Sequence, residues 1–94
     1  MESRELTILE RIARNLPARK MNFGVSEQEF GPVYLAWGKD NDGTFHGVWG
    51  FRGVARIMEF TKNSTVKGVK QLLLDDAANF YYTGKMVGYR FGNV

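Results

Sequence analysis

Side chains that could do chemistry are few in this sequence. The chain has no cysteine, which excludes disulfides, thiolate zinc sites and cysteine nucleophiles. His46 is the only histidine, so the paired histidine spacings that are typical of zinc sites do not occur. A base–nucleophile pair would need a hydroxyl group brought close to His46 by folding. We therefore expect His46 to lie at a sheet edge or to face solvent.

The run of Asp40, Asp42 and Gly43 is the nearest approach to a metal-binding motif. An EF-hand loop places aspartates and an invariant glycine at this spacing, and it needs further oxygen ligands at both ends. When Gly43 is aligned with that glycine, Gly38 and Trp49 occupy the first and last ligand positions. Neither side chain can bind calcium, whereas Asp42-Gly43 is a strong hairpin signal. The run predicts a turn, and no metal site is expected.

The other acidic residues are not arranged for catalysis. Asp75 and Asp76 are neighbours in a predicted helix, where consecutive side chains point about 100° apart, so they cannot act as a catalytic pair. The sequence also lacks the glycine-rich nucleotide-binding motifs and the GxSxG motif of serine hydrolases. We therefore predict a protein that is not an enzyme and that binds no cofactor.

Basic residues give the clearest functional signal. The net charge is +3, from 13 basic and 10 acidic residues, and the basic residues are unevenly distributed. Residues 11–25 contain four bases and no acid, namely Arg11, Arg14, Arg19 and Lys20. Residues 44–70 contain one acid, Glu59, and five bases, namely Arg52, Arg56, Lys62, Lys67 and Lys70.

The second basic segment runs into the start of a predicted helix. Lys67 and Lys70 lie in its first two turns, where the helix dipole favours anions and disfavours lysine. Free backbone N–H groups at the same place bind phosphate readily, so a phosphate backbone would make the two lysines tolerable. The sequence therefore predicts a nucleic-acid site made of Arg52, Arg56, Lys62, Lys67 and Lys70. Candidates to join it are Arg11, Arg14, Arg19 and Lys20.

The spacing of apolar residues predicts two helices. Residues 3–16 carry a helical apolar stripe, and Pro17 ends this helix because the residue before a proline is pushed out of the helical conformation. The second helix is clearer; Asn63 or Ser64 can cap its start, and Gly84 suits its end. Its apolar stripe is formed by Val66, Val69, Leu73, Ala77 and Phe80.

Strand-like runs lie between and after the two helices. Alternating apolar residues predict strands at 32–38, 44–51, 54–60 and 86–94. Residues 18–31 lose this period, and we expect an irregular connection there, with a short strand around 21–25 as the alternative.

These elements predict an α+β fold in the order α-β-β-β-α-β. We expect an antiparallel meander of three to four strands with the two helices packed on one face, in a single domain that comprises residues 1–94. This element order resembles that of several small nucleic-acid-binding domains, double-stranded-RNA-binding domains among them. The resemblance is confined to the order of elements, since no sequence motif accompanies it.

Aromatic residues are concentrated between Tyr34 and Phe51. Exposed aromatics on a sheet can stack nucleic-acid bases, but a domain of this size also needs large side chains under its helices. Our core candidates are Leu35, Trp37, Trp49 and Phe51. Our candidates for a solvated face are Tyr34, His46 and Arg56.

Composition narrows the class of protein further. The chain is 44% hydrophobic and 14% aromatic, unlike a disordered protein, which has few aromatics and a high net charge. No apolar run approaches the length of a membrane span, and the first residues lack the apolar core of a signal peptide. We expect a cytoplasmic protein that does not enter a membrane.

Our leading hypothesis is a small, non-enzymatic, nucleic-acid-binding domain. The alternative is a protein-interaction module, a regulator or inhibitor of a larger protein complex, that uses the aromatic sheet or an acidic surface. That acidic surface would be formed by Glu27, Glu29, Asp75 and Asp76. A homodimer built through a sheet edge is compatible with both hypotheses.

Overall fold

The computed structural model of the protein describes residues 4–84, which form two helices and one four-stranded sheet. In chain order the elements are α1 (Arg4–Arg14), β1 (Asn22–Gln28), β2 (Gly31–Lys39), β3 (Phe45–Phe51), β4 (Val54–Glu59) and α2 (Val66–Thr83). Every neighbouring pair of strands is antiparallel, and the order in the sheet is β1-β2-β3-β4. The predicted α+β class and antiparallel meander are confirmed, and the described strands number four.

Strand β1 occupies the region that we expected to be mostly irregular. It pairs with β2 over its whole length, from Asn22 opposite Trp37 to Gln28 opposite Gly31. Its alternation was hard to see because it is an edge strand whose apolar side chains, Phe23 and Val25, are exposed. The alternative of a short strand near 21–25 was therefore closer to the structure. The predicted strand at 86–94 lies outside the described residues.

The two helices pack on opposite faces of the sheet, so the predicted packing on one face is wrong. On the α2 face, Val69, Leu73 and Ala77 cover the larger side chains of β2 and β3. On the other face, Leu9 and Ala13 of α1 lie against a layer of smaller side chains. That layer consists of Ala36, Val48 and Ala55.

Small residues on the second face explain this arrangement. Alternate residues of a strand point to opposite faces, and β3 is buried at all seven positions. A strand that is buried on both faces needs cover on both sides, and short side chains let a helix approach closely. The resemblance to domains with helices on one side of the sheet does not extend to this packing.

The aromatic residues of β2 and β3 lie almost entirely in the core. Trp49 is fully buried, and Leu35, Trp37 and Phe51 are also buried, as predicted. Tyr34 is half-buried against the α1 layer, so it does not belong to a solvated face. The sheet therefore offers no broad aromatic platform within residues 4–84.

The ends of α2 are fixed by local hydrogen bonds. Thr65, rather than Asn63 or Ser64, is the N-cap, and its Oγ1 accepts a hydrogen bond from the Gly68 N–H at 3.0 Å. At the other end Gly84 adopts φ 73° and donates its N–H to the Phe80 carbonyl, which confirms the predicted glycine cap.

None of the helices within residues 4–84 is long and apolar enough to cross a lipid bilayer.

Candidate nucleic-acid interface

Arg56, one of the five predicted site residues, is not at the surface. It is 6% exposed and lies on the α2 face of the sheet, directly opposite Trp49 on β3. Asp76 of α2 reaches down to both residues: its Oδ2 accepts a hydrogen bond from Trp49 Nε1 at 2.7 Å and lies 3.3 Å from Arg56 Nε. Arg56 is therefore part of a buried polar cluster and cannot contact nucleic acid.

Arg52 is exposed but lies far from the predicted lysines. It occupies the two-residue turn between β3 and β4, where Arg52 and Gly53 both have positive φ, 51° and 80°, as a type I′ hairpin turn requires. Its guanidinium carbon lies 4.9 Å from the centre of the Phe51 ring and 5.5 Å from that of Tyr81. The helix rises about 21 Å between Lys67 and Tyr81, so Arg52 belongs to the opposite end of the molecule.

The three lysines around the start of α2 do remain together. The chain enters α2 from the end of β4, where the Phe60 N–H donates to the Phe45 carbonyl at the start of β3. Lys70 Nζ lies 4.9 Å from the centre of the Trp37 ring, near the end of β2. Lys62 and Lys67 are exposed. These contacts place the lysines at the end of the sheet where β2 ends and β3 begins.

The connection between α1 and β1 meets the same end of the sheet. The Arg19 N–H donates to the Lys39 carbonyl at 3.1 Å. Gly38 lies against the Lys20 backbone so closely that a Cβ atom at position 38 would be 2.5 Å from the Lys20 carbonyl oxygen. Glycine in a strand often marks such a close approach of two backbones. Arg19, Lys20 and Lys39, all exposed, therefore join the end that carries the α2 lysines.

We call this surface the basic end. It consists of Arg11, Arg14, Arg19, Lys20, Lys39, Lys62, Lys67 and Lys70. Arg14 and Arg19 line one open cleft of about 440 Å³ between α1 and the start of β1, and Ala13, Met21 and Phe23 form its apolar part. The acids at this end are Glu10, which lines the same cleft, Asp40, Asp42 and Glu59, so the described cations outnumber the anions there.

Lys39 was not singled out from the sequence, although it lies between the two basic segments. It followed a strand as a single lysine, and only the pairing of residues 19 and 39 shows that it links them. The signal that could have found it is Gly38, because a glycine at the end of an otherwise bulky strand indicates that another segment approaches there.

The Asp40 carboxylate is held by hydrogen bonds within and beside the β2–β3 turn. Its Oδ1 accepts hydrogen bonds from the backbone N–H groups of Asp42 and Thr44, at 2.8 and 3.0 Å. Its Oδ2 lies 2.9 Å from Nε2 of His46. We expected His46 at a sheet edge or facing solvent, but it is buried on the inner strand β3. The hydrogen bond with His46, followed by that from Thr44, lowers the pKa of Asp40 below its ordinary value of 3.8.

This pKa shift predicts a pH dependence of stability. A carboxyl group whose pKa is lowered by folding stabilises the fold above its unfolded pKa, and this contribution is lost as the pH falls through the folded pKa. Asp40→Asn should therefore lower the free energy of unfolding at pH 7, and its difference from the wild type should shrink below about pH 3.8. Urea denaturation at several pH values measures this difference. Asp42→Asn in the same turn is the control, and a difference that stays constant from neutral pH into strong acid would contradict the prediction.

The opposite end of the molecule has a different character. Glu27 and Glu29 are exposed there, and Tyr82 donates a hydrogen bond to Glu29 Oε1 at 3.2 Å. Partial desolvation raises the pKa of Tyr82, and the contact with Glu29 adds to this effect. The ring of Tyr81 stacks on Phe30, with 4.8 Å between centres. Cations therefore predominate at one end of the sheet, whereas the other end carries Glu27 and Glu29 together with Arg52.

The described residues contain no group of three or more histidine, aspartate or glutamate side chains that could hold a metal ion. Comparison of the whole chain with protein-family models, with curated proteins and with solved structures finds no match. Arguments about function therefore rest on the geometry of the chain itself.

Proposed function

We propose that this protein is a small, non-enzymatic, cytoplasmic domain that binds nucleic acid through the basic end. The observation that carries the proposal is the meeting of two basic segments that are distant in sequence. The hydrogen bond from Arg19 to Lys39 and the contact of Lys70 with Trp37 bring both segments to one end of the sheet. Arg52 and Arg56 take no part in this interface.

The chemistry of the basic end suits a phosphate backbone better than base edges. Its side chains are long cations on three separate segments, all exposed except the half-buried Lys70, and these can follow a charged backbone without reading sequence. The first turn of α2, which begins at Val66 and includes Lys67, adds backbone N–H groups. We expect binding that is indifferent to sequence and that weakens steeply as salt releases the competing counterions.

Binding of fluorescently labelled single- and double-stranded DNA and RNA, measured by anisotropy across a salt series, tests the proposal. The variant Lys20→Glu/Lys67→Glu reverses one charge in each basic segment. We expect the dissociation constant of this variant to rise by tenfold or more at low salt, and each single variant to contribute to the loss. The salt slope should also fall, because fewer counterions are displaced.

Arg52→Glu is the matched control for each single variant, because it makes the same charge change at the opposite end of the molecule. At about 0.1 M salt, where the Debye length is roughly 10 Å, we expect it to alter the dissociation constant by less than about twofold. Circular dichroism checks that each variant is folded. The absence of binding at low salt would overturn the proposal, and so would an equal loss of affinity in the Arg52→Glu variant.

A protein-interaction module is the second candidate function. The aromatic residues of the sheet do not support this candidate, because Trp49 and Phe51 are covered by α2. Asp76 is held in the core and cannot belong to an acidic surface. The remaining support for this candidate is the exposed carboxylates of Glu27, Glu29 and Asp75. A pull-down from native cytoplasm that returns no stoichiometric protein partner would count against this candidate.

A further inference from the structure

Strand β1 leaves one edge of the sheet open. It is the first strand in the order β1-β2-β3-β4, and no strand within residues 4–84 pairs with its outer side. Proteins usually block such edges with lysine, proline, a bulge or an inward-pointing charge. The sequence of β1, NFGVSEQ, contains neither lysine nor proline, and it pairs with β2 in continuous register.

The other edge strand is protected in the way that β1 is not. Strand β4 is one residue shorter, and it points the charged side chain of Arg56 into the core. An inward charge of this kind disfavours pairing with another strand at that edge. Within residues 4–84 the two edges of the sheet are therefore unequal, and β1 is the one that is open to a partner strand.

The side chains of β1 are suited to pairing with a second copy of the same strand. Phe23 and Val25 lie on the α1 face and are 46% and 55% exposed. On the other face the strand carries small or polar residues, among them Gly24 and Ser26. Two adjacent, half-exposed apolar side chains at an open edge have more to gain from burial than scattered ones do.

The charges that flank β1 would be complementary between two antiparallel copies of this strand. Arg19 and Lys20 precede the strand, and Glu27 and Glu29 lie at its end. In an antiparallel pair of identical strands, the start of each strand meets the end of the other. Cations would then meet carboxylates on both sides of the two-fold axis, which is the self-complementarity that a symmetric dimer requires.

We propose that β1 pairs antiparallel with β1 of a second copy of this chain, which joins the two sheets into one of eight strands. The two-fold axis passes at Gly24, so that Phe23 lies opposite Val25 of the partner subunit. This register buries both apolar side chains twice and keeps them on the same face of the joined sheet. It also sets Arg19 opposite Glu29 of the partner subunit.

The interface is small, so association is weak and depends on concentration. A single strand pair is well below the size of an obligate interface, and we expect a monomer–dimer equilibrium in the micromolar range. Sedimentation velocity over a concentration series should show the chain moving from its mass of 10.7 kDa to twice that value, with no larger species. A chain that stays monomeric up to several hundred micromolar would overturn the proposal.

A pair of lysine substitutions locates the interface. Val25→Lys places a charge on the open edge and should raise the dissociation constant of the dimer by at least tenfold. Leu72→Lys is the matched control, because Leu72 of α2 is similarly exposed, at 49%, and lies away from β1. If Leu72→Lys weakens the dimer and Val25→Lys does not, the interface is elsewhere and the proposal fails.

Charge reversal tests the antiparallel arrangement without disturbing the apolar residues. The variant Arg19→Glu/Lys20→Glu has only acids around β1, and Glu27→Lys/Glu29→Lys has only bases there. Each should be monomeric alone, and an equimolar mixture should form a heterodimer. Both variants change exposed residues, so folding is retained, and circular dichroism verifies this. Strong self-association of either variant, or a mixture that stays monomeric, would overturn the proposal. The readout is mass, so it is independent of nucleic-acid binding.

Discussion

Replacing Asp76 with alanine is expected to lower the free energy of unfolding by about 3–5 kcal/mol, the usual cost of removing one partner of a buried ion pair. Asp76 Oδ2 accepts a hydrogen bond from the fully buried Trp49 Nε1 and lies 3.3 Å from Arg56 Nε. Without the carboxylate, the Arg56 charge stays in the core without that counter-charge, and the indole N–H loses its acceptor. Urea denaturation followed by tryptophan fluorescence measures the loss.

The neighbouring aspartate provides the control for this prediction. Asp75 is exposed, and its Oδ1 accepts a hydrogen bond from Gln71 on the same helix at 2.9 Å. Asp75→Ala should change the free energy of unfolding by less than about 0.5 kcal/mol, as is usual for a surface substitution. Equal effects of the two substitutions would show that the buried cluster does not contribute to stability.

A double substitution separates the cost of an isolated charge from the value of the ion pair. In Arg56→Met/Asp76→Leu both charges are replaced by apolar side chains of similar length. Buried ion pairs replaced in this way are often neutral or stabilising relative to the wild type. We therefore expect the double variant to recover most of the stability that Asp76→Ala loses. A double variant as unstable as the single one would mean that the isolated Arg56 charge is not the main cost of Asp76→Ala.

The sequence predicted those elements whose pattern reflects burial on one side. Val69, Leu73 and Ala77 of the predicted stripe lie on the sheet and Phe80 is partly buried against it, as their helical spacing indicated, whereas Val66 is exposed. The turn at Asp42-Gly43 was visible because its residues are required by local geometry, which no distant contact alters. In both cases the information that determines the element is contained in a few consecutive residues.

The sequence indicated β1 only as an alternative, and it did not reveal the placement of the helices. An edge strand with exposed Phe23 and Val25 does not alternate between core and solvent, so its period carries no burial signal. The side of the sheet on which α1 packs depends on the small side chains of Ala36 and Val48, whose meaning emerges only when β2 and β3 are aligned. These are consequences of tertiary contacts, which pattern analysis does not see.

For the same reason, only part of the candidate site was predicted from the sequence. Lysines around the start of α2 are close in sequence and stay close in space. Arg56 appeared equally suitable, yet its charge is directed inward, toward Asp76, which lies twenty residues later. Arg19 reaches the same end as the lysines through a backbone hydrogen bond to Lys39, again twenty residues away. Long-range pairing therefore decided which of the cations share a surface.

Leu73→Ala is the second substitution with a large expected effect, about 2–5 kcal/mol of the free energy of unfolding. Leu73 is fully buried, and its Cδ1 lies over Gly47 of β3, where an added Cβ atom would be 3.1 Å away. Because Gly47 has no side chain to move into the space, the cavity left by the substitution cannot be filled from below. The cost should therefore lie toward the upper part of that range.

Leu72 gives the matched control for Leu73, since the two leucines are consecutive. Leu72 is 49% exposed, so Leu72→Ala should cost less than about 1 kcal/mol, because alanine is also the better helix former. Comparable losses at the two positions, measured by urea denaturation with unchanged m-values, would show that α2 does not face the sheet as described.

A double-mutant cycle between Leu73 and Gly47 tests the contact itself. In the wild type, Gly47→Ala would press a methyl group against three neighbours: Leu73 Cδ1 at 3.1 Å, the Ala36 carbonyl oxygen at 3.2 Å and Phe60 Cε2 at 3.3 Å. Overpacking of this kind typically costs about 1–3 kcal/mol. In the Leu73→Ala background the first of these contacts is gone, and the new methyl group occupies part of the cavity. Gly47→Ala should therefore cost less there than in the wild type, with a coupling of at least about 0.5 kcal/mol, and strictly additive effects would exclude a direct contact between the two positions.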